Sequence, residues 1–331
     1  MDPMSTVLDL AAALARSRSG VVVVERTDLA LLELKGADVL RYLHAVSTQH
    51  TADLRVGDAA LALLLSPKGK IDFAFRLAVL EGGALLDTEA AAAPALAERL
   101  DRFVFRYDVA VTPQASGTAG GAVSLVGPGA DEALAAADLP PAPDLPERAT
   151  VAAGLVAHRT EPGVDLLGEA VPGALAALQR VGVRRAPLDL WEMQRIERGL
   201  PRWGRELTDD VIAEEAGLLG SYVHLDKGCY PGQETVARVH NLGQVQRRLA
   251  GLRFEDPGVG PPSLRAGLVA ESGRRAGQVR SVVRHPDLGP IALAYVRRGV
   301  AAGTRVLAGE VAATVVELPF RTERLAREQS A

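Results

Sequence analysis

From about residue 245 to residue 320 the chain contains no convincing helix. Short apolar runs, "RRLAGLRF", "AGLVAE", "AGQVRSVVRH", "IALAYVRR", "TRVLAG" and "VAATVVEL", are separated by Gly and Pro. That texture limits the segment to a compact all-β module, a barrel or small sandwich. What precedes it is different. Strand-like runs at 20–25, 29–34, 58–66, 71–80, 84–89 and 107–113 alternate loosely with helical patterns. The first two runs read as strands around the turn "RTD". "PKGK" joins the runs at 58–66 and 71–80. The long regular strand–helix repeat of a doubly wound sheet is missing, so the class is α+β.

Helices are expected in the first twenty residues, over "GADVLRYLHAVS", in the Ala-rich stretch around Pro94, near 172–181, and from Pro187 to a stop at Gly199. "QASGTAGG" (114–121) reads as a loop and an internal boundary; the Pro-rich 139–150 cannot be helical. The expected organisation is a region over 1–240 made of two α+β subdomains, followed by a β module over 245–320. A chain of 331 residues buries a sizeable core without disulfides, and a single cysteine forms no internal bridge. The N-terminus lacks a basic n-region and no run approaches a membrane span, so a cytoplasmic protein without membrane contact is expected. A net charge of −4 argues against broad nucleic-acid binding.

Three stretches carry candidate chemistry. "DKGCYPGQET" holds the only cysteine, Cys229, two residues after Lys227 and just before a Pro231-Gly232 turn. A nearby cation favours the reactive thiolate. From spacing alone, however, a lone cysteine is most often a small buried apolar residue. "QRIERGLPRWGREL" places Glu197 among arginines. Such a carboxylate usually makes a surface ion pair; the alternative is a carboxylate turned into a cleft to bind a heterocycle, with Trp203 as an aromatic wall. "SPKGKID" sets Lys68 and Lys70 on either side of Gly69. It reads as a solvated hairpin tip or as a cationic contact for a ligand's carboxylate or phosphate, with Asp72 as a candidate base. The basic residues are nearly all Arg, so each of the four lysines stands out. The six histidines show no metal-binding spacing, and no metal is assigned. Phosphate-loop, dinucleotide and nucleophile-elbow motifs are absent from the sequence.

Together, "RIERGLPRWGREL" and "DKGCYPGQETVAR" resemble the YgfZ family of folate-binding proteins, a branch of the glycine-cleavage T-protein (aminomethyltransferase) superfamily. The family's K-G-C-aromatic-x-G-Q-E run is met by Lys227, Gly228, Cys229, Tyr230, Gly232, Gln233 and Glu234. "LLELKGADVLRYLHAVSTQHTADL" and "AGQVRSVVRHPDLGPIALAYVRRG" are similar to the superfamily's N-terminal segment and C-terminal barrel. The resemblance implies a cloverleaf of mixed α/β subdomains around a central channel, plus a C-terminal all-β barrel. It implies bound tetrahydrofolate or a derivative, with Glu197 on the pterin and Lys70, Trp203, Tyr230, Gly232, Gln233, Glu234 and Arg238 contributing to the site. It places Cys229, Lys227 and Asp72 at the chemistry, with the cysteine near the folate. T-proteins carry paired aspartates where this chain has Asp72 and Phe73, which counts against glycine cleavage. The implied function is an accessory protein for assembly or repair of iron–sulfur clusters, with iron–sulfur enzymes, tRNA-modifying radical enzymes among them, or cluster-assembly proteins as partners. The alternative is a tetrahydrofolate-dependent one-carbon transferase.

Overall fold

A computed structural model of the chain describes residues 7–114, 121–243, 245–256 and 262–320. The expected boundary at 114–121 falls mostly outside the described residues. The chain divides into two compact units. The first holds residues 1–64, 73–191 and 222–231; the second holds 65–72, 192–221 and 232–331. Residues 192–221 and 232–240, assigned from sequence to the N-terminal region, thus group with the C-terminal strands.

The first unit contains two sheets. One runs in the order Ala59–Leu65, Ile71–Leu80, Gly83–Glu89, Leu29–Lys35, Ala110–Pro113, the first two strands ending at the tip assigned to the second unit. The other runs Arg184–Ala186, Val22–Glu25, Ala122–Val126, Gly163–Leu167, Leu155–Thr160, Ala149–Ala152. Val22–Glu25 and Leu29–Lys35 therefore do not form the hairpin expected around "RTD": the chain passes from one sheet to the other at residues 26–28. Arg26 holds this corner, bonding both oxygens of Asp28 (2.9 and 3.0 Å) while its guanidinium lies 3.5 Å over the Trp191 ring.

The two sheets are tied to each other by charge as well as packing. Arg76, on one sheet, bonds Asp87 (2.8 Å) on the neighbouring strand and Asp165 (2.9 Å) on the other sheet. Ser124 donates to Asp165 at 2.6 Å. Asp87 and Asp165 are 8% and 5% exposed, so each needs this partner to remain ionised away from water. Leu31, Ala59, Ala78 and Leu85 pack with Ala149, Val156 and Leu167 around the same join.

In the second unit six strands close a barrel in the order Arg247–Phe254, Gly289–Arg297, Arg275–His285, Gly267–Ala270, Arg305–Ala308, Val311–Val316. The run "PIALAYV" is apolar on both faces because both are buried. Ala292, Ala294 and Val296 fill the barrel core; Ile291 and Leu293 face outward onto Ile196 and Phe320. Ile196 belongs to the helix Leu188–Arg198, which ends at Gly199 (φ +75°), a left-handed position suited to glycine. No helix among the described residues is long and apolar enough to cross a membrane.

Candidate functional site

The cysteine loop is built from the inside out. Thr48, fully buried, donates its hydroxyl to the Tyr222 carbonyl (2.6 Å), and its own carbonyl accepts from the His224 amide (3.0 Å). This joins the segment before the motif to the end of the helix Val39–Val46. Lys227 then enters the interior, 5% exposed, and donates to the carbonyls of His44, Ser47 (2.6 Å) and Gln49 (3.1 Å). Its ammonium also lies 4.9 Å from the centroid of the Tyr230 ring, which is buried. Burial lowers the Lys227 pKa to about 8. Between these two anchored residues, Gly228 and Cys229 face solvent.

The spacing-based expectation of a buried thiol is therefore wrong for Cys229. A free cysteine is buried when it serves as a small hydrophobe; here its neighbours take the interior and leave it outside. The role of Lys227 is also sharpened. All three ammonium hydrogens go to carbonyls, so its charge holds the loop and makes no hydrogen bond to the thiol.

The turn after the cysteine meets the "PKGK" turn. Gly232 (φ +82°) and Gly69 (φ +72°) approach so closely that a Cβ on Gly232 would lie 2.5 Å from the Ser66 carbonyl oxygen and 3.0 Å from the Gly69 Cα. Gly69 is buried, so this tip is not a free solvated hairpin; Lys68 beside it is exposed, and Lys70 donates to the Asp210 carbonyl at 2.9 Å. Trp203 donates its indole N–H to the Asp72 carbonyl (2.8 Å). The fold thus brings together Lys70, Asp72, Trp203 and Gly232 from three separate stretches. Gly232 opens the helix Gln233–Leu242, a helix not anticipated from the sequence. It carries Gln233, half-buried, with Glu234 and Arg238 exposed.

Glu197 is not a surface ion pair. It is 2% exposed, with Arg198 Nη1 at 3.8 Å and His285 Nε2 at 3.9 Å from its Oε2. His285, also 2% exposed, accepts from the amides of Asp287 and Leu288 at Nδ1 (3.2 Å each). That fixes the neutral ring with its proton on Nε2, the nitrogen turned toward Glu197. Two residues earlier, Arg195 bonds Glu192 through Nε (2.9 Å) and Nη2 (2.6 Å), Glu206 (3.1 Å) and Ser281 (2.9 Å). Ser281 and His285 lie on one barrel strand, so that strand orients the helix segment bearing Glu197. Nothing in the local sequence signalled His285 or Ser281 as partners. The carboxylate is thus buried between an arginine and an oriented imidazole.

The fold also gathers three histidines that the sequence scatters. The rings of His44 and His50 have centroids 4.7 Å apart, and those of His50 and His224 5.2 Å.

Comparison with known proteins agrees with this architecture. Residues 247–321 match the glycine cleavage T-protein C-terminal barrel domain. The human mitochondrial iron–sulfur cluster assembly factor IBA57 is 32% identical over 209 residues, 60% of this chain and 53% of that protein. The tRNA-modifying protein YgfZ of Aliivibrio fischeri is 30% identical over 135 residues, 40% of this chain and 42% of that protein. The match thus spans about half the length of these relatives. The crystal structure of the glycine cleavage system aminomethyltransferase T from Bartonella henselae superposes with a TM-score of 0.82 at 23% identity, covering 94% of this chain and 89% of that one. The chain thus has the fold of a glycine-cleavage T-protein, with that protein's C-terminal barrel domain at residues 247–321.

Proposed function

We propose that the chain is a cytoplasmic folate-binding accessory protein that supports assembly or repair of iron–sulfur clusters in specific enzymes, including enzymes that modify tRNA. The observation that carries this reading is the presentation of Cys229: the only thiol in the chain is exposed on a loop fixed by Lys227 and Tyr230. A thiol held this way is available to a cluster or to a partner protein. The names of its relatives, an iron–sulfur cluster assembly factor and a tRNA-modifying protein, support the same direction.

Tetrahydrofolate supplies one-carbon or reducing chemistry when bound. In this reading Glu197 accepts from the pterin, His285 and Arg198 flank it, and Trp203 and Lys70 contribute to the surrounding surface. Lys227 is a positioning residue for Cys229. The test is restoration of iron–sulfur enzyme activity in a strain lacking this gene. Cys229→Ala is expected to bind folate and fold normally yet fail to restore activity; full restoration removes the thiol from the mechanism. Glu197→Ala is expected to weaken folate binding, and unchanged affinity means that the pterin is held elsewhere. Folate-dependent release of ammonia from an aminomethyl carrier would instead favour a one-carbon transferase, with Asp72 as its base.

A further inference from the structure

We propose that His44, His50 and His224 form a proton-sensitive junction that holds the Cys229 loop at neutral pH and releases it in mild acid. The proposal is independent of the folate reading and rests on where the fold puts the three rings.

The junction joins two stretches far apart in the chain. His44 lies in the last turn of the helix Val39–Val46, His50 in the segment that follows, and His224 shortly before Cys229. The rings of His44 and His50 meet edge to face with centroids 4.7 Å apart, and the ring of His224 lies 5.2 Å from that of His50. Hydrogen bonds join the same two stretches. The His224 amide donates to the Thr48 carbonyl (3.0 Å), Thr48 donates its hydroxyl to the Tyr222 carbonyl (2.6 Å), and Lys227 donates to the carbonyls of His44, Ser47 and Gln49. Separating the rings therefore pulls on the bonds that hold the loop.

The charges around the rings decide how the junction answers to protons. The charged and titratable groups acting on His44 are Lys227, His50, Asp53 and His224. Asp53 is the one carboxylate of that set, and it is already bonded to His50 Nε2 at 2.8 Å. Asp226, two residues after His224, is exposed, where water and salt screen its charge. A proton on His50 thus has a partner. A second proton, on His44 or His224, puts two cationic rings side by side near a buried ammonium. For His44 the cost is greater, because its Nδ1 is buried with no hydrogen-bond partner and a charged ring needs an acceptor at both nitrogens. Burial, then Lys227 and His50, accordingly hold the His44 pKa below its ordinary value. When the junction opens, the ring reaches water and takes up a proton near the ordinary histidine value of about 6.5. Protons therefore favour the open form, and their pull begins as pH falls below about 6.5. Above that value His44 is neutral in both forms and the junction stays closed.

The test is backbone-amide hydrogen exchange of the full chain, followed by NMR. After correction for the intrinsic pH dependence of exchange, protection of the residue-224 amide should fall about tenfold between about pH 7.5 and about pH 5.5 for one proton taken up on opening. Amides of the strand Leu29–Lys35, in the same unit, should keep their protection, which separates local opening from global acid unfolding. His44→Gln should abolish the fall at residue 224. The His50→Gln/His224→Gln double variant, which changes a half-buried and an exposed side chain, should shrink it. Each comparison is between two pH values within one protein, so a uniform loss of stability does not imitate the effect. His240→Gln, at an exposed histidine on the helix Gln233–Leu242, should behave as wild type. Protection at residue 224 that is independent of pH in wild type overturns the junction. So does an equal fall in the strand Leu29–Lys35, or a full fall that survives in either histidine variant.

Discussion

Gly232→Ala tests whether the cysteine loop is held by the backbone approach of two turns. Two costs follow from the structure. Gly232 has φ +82°, and a side chain in the left-handed region costs about 1–2 kcal/mol. The added Cβ also meets the Ser66 carbonyl oxygen at 2.5 Å, with Gly69 Cα and Leu65 Cβ at 3.0 Å. These are backbone and near-backbone atoms, so the turns must separate, and overpacking of this kind costs about 1–3 kcal/mol. Together the loss is about 2–5 kcal/mol.

Gly204→Ala supplies the control within the same unit. Gly204 has nearly the same φ, +78°, but a Cβ there has nothing within 4 Å. Only the conformational cost applies, about 1–2 kcal/mol. Urea unfolding followed by tryptophan fluorescence measures both variants. Gly232→Ala should lose about 1–3 kcal/mol more than the control. It should also change the rate at which a thiol reagent modifies Cys229, the only cysteine in the chain. Equal stability of the two variants, with an unchanged modification rate, would refute the idea that this approach sets the loop.

Arg76→Met leaves Asp87 and Asp165 buried without their main partner; a loss of about 3–5 kcal/mol is expected in urea unfolding. His158 is 1% exposed, and burial holds its pKa well below the ordinary value. The unfolded chain therefore binds the extra proton as pH falls through about 6.5, so stability should fall below that pH, less steeply in His158→Gln. Lys227 has the opposite pH window. With its native pKa lowered to about 8 from 10.5, the unfolded chain binds more protons between those values, and stability should rise with pH there by up to about 3 kcal/mol. The difference in unfolding free energy between wild type and Lys227→Met at about pH 7.5 and about pH 10 measures this, and a constant difference would contradict it.

Elements fixed by local pattern were legible in the sequence. The barrel followed from short runs between Gly and Pro, and the helix Leu188–Arg198 from Pro187 and Gly199. The strands on either side of "PKGK" followed from their apolar residues. What was illegible depends on partners distant in the chain. Two apolar strands around "RTD" look like a hairpin; only Arg26 on Trp191, 165 positions away, shows that the chain changes sheet there. The exposure of Cys229 depends on carbonyls at 44, 47 and 49, and the burial of Glu197 on a barrel strand that follows it by more than 80 residues. The helix Gln233–Leu242 was hidden because its first residues belong to a motif that reads as a turn.

The scarcity of lysine gains a physical meaning at one position. This chain uses arginine almost everywhere a cation is needed, and arginine serves well where the partner is a planar carboxylate, as at Glu192 beneath Arg195. Lys227 faces a different demand. Its acceptors are three backbone carbonyls from residues 44, 47 and 49, converging on one buried point. An ammonium is compact and directs three donors from a single atom, whereas a guanidinium is broad and its donors lie in one plane. The same compactness lets Lys227 lie over the Tyr230 ring, the residue that closes the loop on the far side of the thiol. Lysine is therefore required by the shape of the carbonyl cage, and the cage anchors the loop on which Cys229 is exposed.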